Sequence, residues 1–295
     1  MPSQSEQGRL PAHAAPRVLL GLLGYPISHS AAPAMHEAAG DALGLRVLYR
    51  LLEIPGLDAS GLRRVLNGAR ELGFAGLNVT FPYKEAVLAV LDDLSPTARA
   101  VAAVNTVVIA GGKLIGHNTD ATGFAAALRA ELGTPIAGPV ALIGTGGMGR
   151  AAAFAMTGLG LKLRLYDTDP ARATRLAHDL TDHTDATLAT SLPALLDGAA
   201  GLVNATPIGM LPDRGCPAPP ALLHAGLWVA DAVYYPLMTP LLIAAQAGRA
   251  RILTGRSLSL HQAYDAFRLF TNQDAPRDPV AQAFDSAIAA RAQST

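Results

Sequence analysis

From Val18 onward, short runs of β-branched or leucine-rich residues alternate with alanine-rich stretches whose apolar positions recur at helical spacing. This pattern predicts βαβ units, with largely parallel sheets covered by helices on both faces. A first series predicts strands near Val18–Gly24, Arg46–Glu53, Gly76–Thr80 and Asn105–Ala110, with helices near Pro33–Leu43, Asp58–Leu72 and Lys84–Leu91. Pro33 and Pro96 suit the first position of a helix. Gly111-Gly112 sits between Val107-Val108-Ile109 and Leu114-Ile115-Gly116, which predicts a tight hairpin and makes this sheet mixed.

A helix from Thr119 to Leu132, with a Thr/Asp start and an apolar stripe through Phe124, Ala127, Leu128 and Leu132, is expected to lead into a second series. There the pattern predicts strands at Val140–Gly144, Lys162–Tyr166, near Thr187, Gly201–Asn204, Trp228–Val233 and Arg251–Thr254. Helices are predicted at Gly147–Leu159 and Pro170–Leu180, followed by Leu258–Phe270 and Pro279–Ala290 after the last strand. The 295 residues exceed the usual size of one hydrophobic core, so two α/β domains with a cleft between them are expected. The division is a tail over 1–16, a mixed-sheet substrate and catalytic domain over 17–120 to which helices 256–290 fold back, and a Rossmann-type dinucleotide domain over 121–255.

Half the residues are apolar and 16% are charged, a globular composition. Lys plus Arg equals Asp plus Glu at 23 each, so no net field favours nucleic acid or an anionic membrane, and neither is expected as a partner. Cys216 is the only cysteine, which precludes an intrachain disulfide and suits a reduced cytoplasm. The apolar stretch from Ala221 to Gly248 is broken by His224, Asp231, Pro236 and Pro240, and so predicts no membrane span. The eight histidines show no HxH or HxxxH spacing, and no metal is expected. Monomer and homodimer both fit.

Val140-Ala-Leu-Ile143 reads as a buried strand; Gly144-Thr-Gly-Gly-Met148-Gly149 follows at once, and Arg150 onward begins a helix. This is the strand-turn-helix setting in which GxGxxG binds a dinucleotide. Gly144 would make the turn, Gly146 and Gly147 would admit the pyrophosphate to the backbone, and Gly149 would let helix pack on strand. The next strand ends in Asp167, near the ~20-residue spacing of an acid that takes the adenosine ribose hydroxyl. A carboxylate there repels a 2′-phosphate, which favours NAD over NADP. The same residue also fits a cap for the helix at Pro170.

In the first series, Gly76-Leu-Asn-Val-Thr80 leads through Phe81-Pro82-Tyr83 to Lys84. A lysine opening a helix meets the unfavourable end of the helix dipole, a placement that suits a general acid or base and is otherwise that of an exposed side chain. Ala103-Val-Asn105-Thr and Gly116-His-Asn118-Thr-Asp120 put amides and an acid at strand ends, where ligands bind in open α/β sheets and where turn formers and helix caps also occur. Ser257 and Ser259 read as capping residues, and Trp228 as core.

Together, Gly24-Tyr-Pro-Ile-Ser-His-Ser30-Ala-Ala-Pro33-Ala-Met-His36, Asn78-Val-Thr80-Phe-Pro82-Tyr-Lys84, Ala103-Val-Asn105-Thr106, Gly116-His-Asn118-Thr-Asp120, Asn204-Ala-Thr-Pro-Ile-Gly-Met210 and Gly255-Arg-Ser-Leu-Ser-Leu-His-Gln262-Ala resemble the shikimate/quinate dehydrogenase family in order and spacing. The resemblance runs from Val18 to Phe270. It implies reversible oxidation of a ring hydroxyl on a cyclic polyhydroxy acid, quinate or shikimate, with NAD as cofactor. By that resemblance Lys84 and Asp120 are the catalytic pair. Thr80, Asn105 and Gln262 are similar to ligands of ring hydroxyls, and Ser30 and Tyr234 to ligands of the carboxylate. Thr206, Pro207 and Met210 resemble the loop supporting the nicotinamide, Gly255 a residue lining its pocket, and Arg172 an arginine stacked on adenine. Asp167-Thr-Asp169, where NADP-preferring members carry Asn-Arg-Thr, resembles the NAD-linked branch. One position departs from the pattern. The family's second hydroxyl residue is replaced in Ser30-Ala31-Ala32-Pro33, which opens the reading to amino-substituted or bulkier analogues of the ring acid. A sensor that binds dinucleotide and metabolite without catalysis is the alternative of a different class.

Overall fold

In β1 (Arg17–Gly24), burial rises along the strand until its second half is wholly inside, because its leucines, interrupted only by Gly21, are covered on both faces. The coordinates are a computed structural model describing residues 16–133 and 138–293, so the expected tail lies outside the described residues except for Pro16. β1 pairs in parallel with β2 (Arg46–Glu53) and β3 (Gly76–Val79). The sheet continues through β4 (Asp93–Leu94), β5 (Thr106–Ala110) and β6 (Lys113–His117), in spatial order β2-β1-β3-β5-β6-β4. β5 runs antiparallel to both β3 and β6, so the sheet is mixed as expected. The β5–β6 connection is the two-residue hairpin read from Gly111-Gly112, whose φ values of 56° and 75° need glycine at both positions. Helices α1 (Ala32–Ala42), α2 (Ala59–Glu71) and α3 (Pro96–Val101) connect these strands.

The segment expected to be helical over Lys84–Leu91 forms instead a 3₁₀ turn at Ala86–Val90. The Lys84 carbonyl, which would open an α-helix, accepts from Val104 N at 2.8 Å and is thereby tied to the start of the β5 region. Lys84 therefore does not stand at the head of an α-helix, and the dipole argument for its reactivity lapses.

α4 (Thr119–Leu132) crosses to a second sheet built from β7 (Val140–Ile143), β8 (Leu163–Tyr166), β9 (Ala186–Leu188), β10 (Gly201–Asn204), β11 (Trp228–Asp231) and β12 (Arg251–Leu253). All its pairings are parallel, in the order β12-β11-β10-β7-β8-β9. This is the doubly wound order of a dinucleotide-binding domain. The expected α5 (Gly147–Thr157) and α6 (Pro170–Asp179) are present, joined by α7 (Leu192–Leu196) and α8 (Pro240–Ala247), neither of which the apolar periodicity revealed. Both follow a hydroxyl residue that caps them: Ser191 accepts from Ala194 N and Thr239 from Leu242 N.

α9 (Gly255–Thr271) and α10 (Arg277–Gln293) return to the first sheet. Phe270 of α9 lies so close to Gly76 that a Cβ there would stand 2.4 Å from its ring. Phe284 and Val280 of α10 share an apolar cluster with Met35 and Ala39 of α1. α9 begins at Gly255, so Ser257 and Ser259 lie inside the helix and do not cap it. Without a side chain, Gly255 lets the helix start against Val233, whose carbonyl would meet a Cβ at 2.4 Å. Trp228 is core, as expected. Among the described residues, no helix is long and apolar enough to cross a membrane, and no group of three or more His, Cys, Asp or Glu side chains is placed to hold a metal.

Candidate active site

The two chain crossovers of the second sheet part company between β7 and β10, the point at which open α/β sheets bind their ligands. Gly144 leaves β7 with φ +91°, and a Cβ there would stand 2.7 Å from the methyl of Thr206, in the loop that leaves β10. The two loops therefore touch at the switch point. Gly149 is packed so tightly that a Cβ would lie 2.0 Å from the Gly144 carbonyl oxygen. A Cβ on Gly146 or Gly147 would meet no clash, only ordinary contacts with Arg172 Nη1 at 3.9 Å and the Lys84 side chain at 3.6 Å. The N-terminus of α5 thus presents its backbone N–H groups to an accessible cradle, the arrangement that receives a pyrophosphate. Met148 is half-buried on the same turn.

Asp167, just past β8, accepts from Thr145 N and Thr145 Oγ1, both at 2.7 Å, and from Asp169 N at 2.9 Å. Burial pushes its carboxyl up, but these hydrogen bonds and Arg172 outweigh that and hold it below the usual carboxylate range. The cap of α6 is Asp169, which accepts from Ala171 N, so the capping alternative for Asp167 is excluded. Pro207 and Met210 are exposed on the loop after β10, and Gly255 is buried beneath Val233 and Tyr234.

From the first sheet, Lys84 Nζ lies 2.6 Å from Asp120 Oδ2, with the two side chains only 19% and 10% exposed. Asp120 sits in the first turn of α4, but the cap is Asn118, which accepts from Ala121 N. The acid is therefore free for the lysine. Asn105 is buried, donating to Thr119 Oγ1 at 2.9 Å and accepting from Thr119 N at 2.7 Å, which anchors the start of α4 beside the ion pair. Thr80, half-buried at the end of β3, donates its N–H to Leu23 O. Gln262 lies on α9 where that helix meets Gly123 of α4; a Cβ on Gly123 would stand 2.6 Å from Gln262 N. Its Nε2 donates to Ser259 O at 3.1 Å.

On the opposite wall the Tyr234 phenol lies beside the Ser30 side chain, and burial raises its pKa above the ordinary value against the opposing pull of Arg291 and Ser30. Ser30 Oγ also accepts from Ala32 N at 3.2 Å. An open groove of about 440 Å³ between α3, α4 and α5, lined by residues such as Thr122, Arg129, Phe154 and His183, includes none of these side chains.

Three polar residues in this region had no role assigned from the sequence. Tyr49, buried on β2, donates to Asn78 Oδ1 at 2.7 Å, and burial raises its pKa well above the ordinary value, with Tyr234 adding to the rise. Asn78 Nδ2 donates in turn to Thr106 Oγ1 at 3.0 Å. Tyr49 follows from the in-out alternation of β2, since a buried phenol needs a partner. Asp231, fully buried at the end of β11, was visible as an acid closing an apolar strand, a residue type that is buried only with partners.

Residues 22–107 match the family described as shikimate dehydrogenase substrate binding domain. The chain is 45% identical over 281 residues to the shikimate dehydrogenase (NADP(+)) of Pseudarthrobacter chlorophenolicus, spanning 92% of this chain and 96% of that protein. It is 43% identical over 263 residues to the quinate/shikimate dehydrogenase (NAD(+)) of Corynebacterium efficiens, spanning 86% of this chain and 93% of that one. Among solved structures, the quinate dehydrogenase of Corynebacterium glutamicum in complex with NAD superposes with a TM-score of 0.85 at 40% identity, over 92% of this chain and 99% of the other.

Proposed function

The chain belongs to the shikimate/quinate dehydrogenase family, and we propose that it is an NAD-linked member that interconverts a ring hydroxyl of quinate or shikimate and the 3-dehydro ketone. The observation that carries this reading is the 2.6 Å pair of Lys84 and Asp120, with the lysine stem against Gly147 in the dinucleotide turn. A proton-handling group beside a dinucleotide cradle is what oxidation of a secondary alcohol requires.

The residues of the turn fit a dinucleotide. Gly144 and Gly149 tolerate no side chain, while Gly146 and Gly147 are bordered only at ordinary contact distance, by Arg172 and by the Lys84 stem. When bound, the nicotinamide supplies the hydride acceptor or donor. Lys84 Nζ holds the proton at the reacting hydroxyl, and Asp120 orients the ammonium and balances its charge. Thr80, Asn105 and Gln262 hydrogen-bond ring hydroxyls, and Ser30 and Tyr234 take the carboxylate. Gly144, Gly146, Gly147, Met148 and Gly149 receive the pyrophosphate. Asp167 would take the adenosine ribose hydroxyl and Arg172 the adenine; Thr206, Pro207, Met210 and Gly255 would hold the nicotinamide end.

Preference for NAD rests on Asp167. Its carboxyl, held below the usual range, stays charged at neutral pH and repels a 2′-phosphate. In this reading residues 17–120 with 256–290 form the ring-acid domain and 121–255 the dinucleotide domain of a cytoplasmic enzyme, monomeric or homodimeric. A second reading, a substituted or amino-bearing analogue as substrate, is favoured by Ala32, which is 9% exposed in an apolar cluster with Ile27, Tyr49 and Phe270 and offers the carboxylate no hydroxyl.

Initial rates with quinate and with shikimate, each with NAD and NADP, followed by the absorbance of the reduced cofactor, test the proposal. Turnover of at least one acid with NAD favoured is expected. A strong NADP preference would overturn the assignment of Asp167, and absence of turnover with both acids would promote the second reading.

A further inference from the structure

We infer that Asp231 is a positioning residue that holds the nicotinamide-side loop and the carboxylate-side loop in one fixed relation, an inference that rests on the dehydrogenase reading above. Asp231 closes β11 and Asn204 closes its neighbour β10; the two are paired in register, and both are 0% exposed. Neither touches the cleft, so whatever they contribute passes through other residues.

Asp231 Oδ1 accepts from Asn204 Nδ2 at 2.9 Å and from Val233 N at 3.0 Å, and its Oδ2 accepts from Thr239 Oγ1 at 2.7 Å. Towards the dinucleotide, Asn204 Oδ1 accepts from Thr206 N at 3.0 Å and Thr206 Oγ1 at 2.7 Å, while its Nδ2 also reaches Ile208 O at 3.3 Å. These bonds shape the loop that runs to Met210 and press the Thr206 methyl against Gly144. Towards the ring acid, the bond to Val233 N fixes the Ala232–Val233 peptide, one residue before Tyr234, whose phenol lies beside Ser30. The Val233 carbonyl abuts Gly255 at the head of α9, the helix that also carries Gln262.

One carboxylate therefore sits at the root of both binding walls. Its donors are all neutral, and burial pushes its carboxyl up to about 6 against the pull of those hydrogen bonds. A buried acid without a counter-charge is unfavourable. An apolar side chain would remove that penalty but leave Val233 N without its acceptor and sever the bonds from Asn204 Nδ2 and Thr239 Oγ1, and the two loops would be free to part.

Asp231→Ala and Asp231→Asn test this. The amide can keep its oxygen towards Asn204 and Val233, and so preserves the strut. For each folded variant, NADH binding is titrated by fluorescence, and KM is measured for NAD and for the ring acid. Asp231→Ala is expected to weaken NADH binding and raise both KM values by about 10-fold or more, the loss associated with one unsatisfied buried group. Asp231→Asn is expected to remain within about threefold of the parent in all three. A residue that only stabilises the fold would lower the melting temperature and leave these constants unchanged. Asp231→Ala constants within about twofold of the parent would overturn the inference, as would equal losses in both variants.

If Asp231→Ala does not fold, Asn204→Ala cuts the strut from the other side. A roughly 10-fold weaker NADH affinity with ring-acid binding largely kept is then expected, and unchanged NADH affinity overturns the inference. A parent enzyme that turns over no ring acid would refute the proposed reaction, and the strut would still be read from NADH titration alone.

Discussion

Lys84 and Asp120 lie 36 residues apart in sequence and meet at 2.6 Å, one from the loop after β3 and the other from the first turn of α4. Two anchors make the meeting possible. Val104 N holds the Lys84 carbonyl, and Asn105 and Asn118 hold the start of α4. Because α4 also leads to β7, the element that aims the acid at the lysine carries the chain to the dinucleotide turn.

Lys84→Ala is expected to lower kcat by about 10²-fold or more, the usual scale of general acid-base catalysis, while NADH binding stays near that of the parent. Asp120→Asn should also lower kcat, with the pair behaving as a unit, so that the double variant loses little more than either single one. Near-normal turnover in Lys84→Ala would remove the lysine from the mechanism.

Asp167 makes a separate prediction, because its carboxylate anchors Thr145 and is the proposed ligand of the ribose hydroxyl. Asp167→Asn keeps an oxygen for Thr145 but removes the charge. The ratio of kcat/KM for NADP over NAD should then rise by about 10-fold, as expected when one close repulsion is lifted. A variant whose cofactor ratio stays fixed would show that Arg172 or the loop around Thr168 sets the preference.

Most of the fold and the outline of the candidate site were legible in the sequence, for reasons that differ by element. β7 and α5 were readable because an unbroken apolar run followed by GxGxxG has one structural solution, and the β5–β6 hairpin because two successive positive φ angles demand Gly111-Gly112. The 3₁₀ turn after Lys84 was not readable, since it depends on a bond from Val104 that no local pattern encodes. α8 escaped because its apolar residues point to several neighbours at once and show no single stripe; only the Thr239-Pro240 start announces it. Asp231 was missed for a similar reason. Its importance lies in the register of β10 with β11, a tertiary fact.

His36 gives a pH prediction with a definite sign. It is completely buried on α1, stacked on Tyr49 at 4.9 Å, and desolvation lowers its pKa from 6.5 to about 3. A depressed folded pKa contributes stability that is present above pH 6.5 and lost as the pH falls towards 3, on the order of 5 kcal/mol at most. Asp231 acts oppositely: its raised pKa contributes stability below 3.8 that is lost as the pH rises through about 6. Urea unfolding of His36→Leu and the parent between pH 7 and 4 separates the two. The parent should lose stability relative to the variant as the pH falls, and parallel curves would mean that His36 does not carry the acid sensitivity.

Ala32 makes the last prediction. Its N–H already donates to Ser30 Oγ at 3.2 Å, so a side chain at 32 starts beside the proposed carboxylate site. Ala32→Ser adds a hydroxyl there with the smallest change in volume, on a residue itself buried in the cluster that holds Tyr49 and Phe270. One hydrogen bond to a charged carboxylate is worth about 1.5–3 kcal/mol, so KM for quinate or shikimate should fall by roughly 10-fold or more with kcat little changed. The effect should appear in KM alone, because a contact to the carboxylate is the same in ground and transition states. A fall in KM places the carboxylate at Ser30 and Tyr234. An unchanged or higher KM would mean that the natural ring acid presents a different group to this wall, and would favour the substituted substrate for which an alanine leaves room.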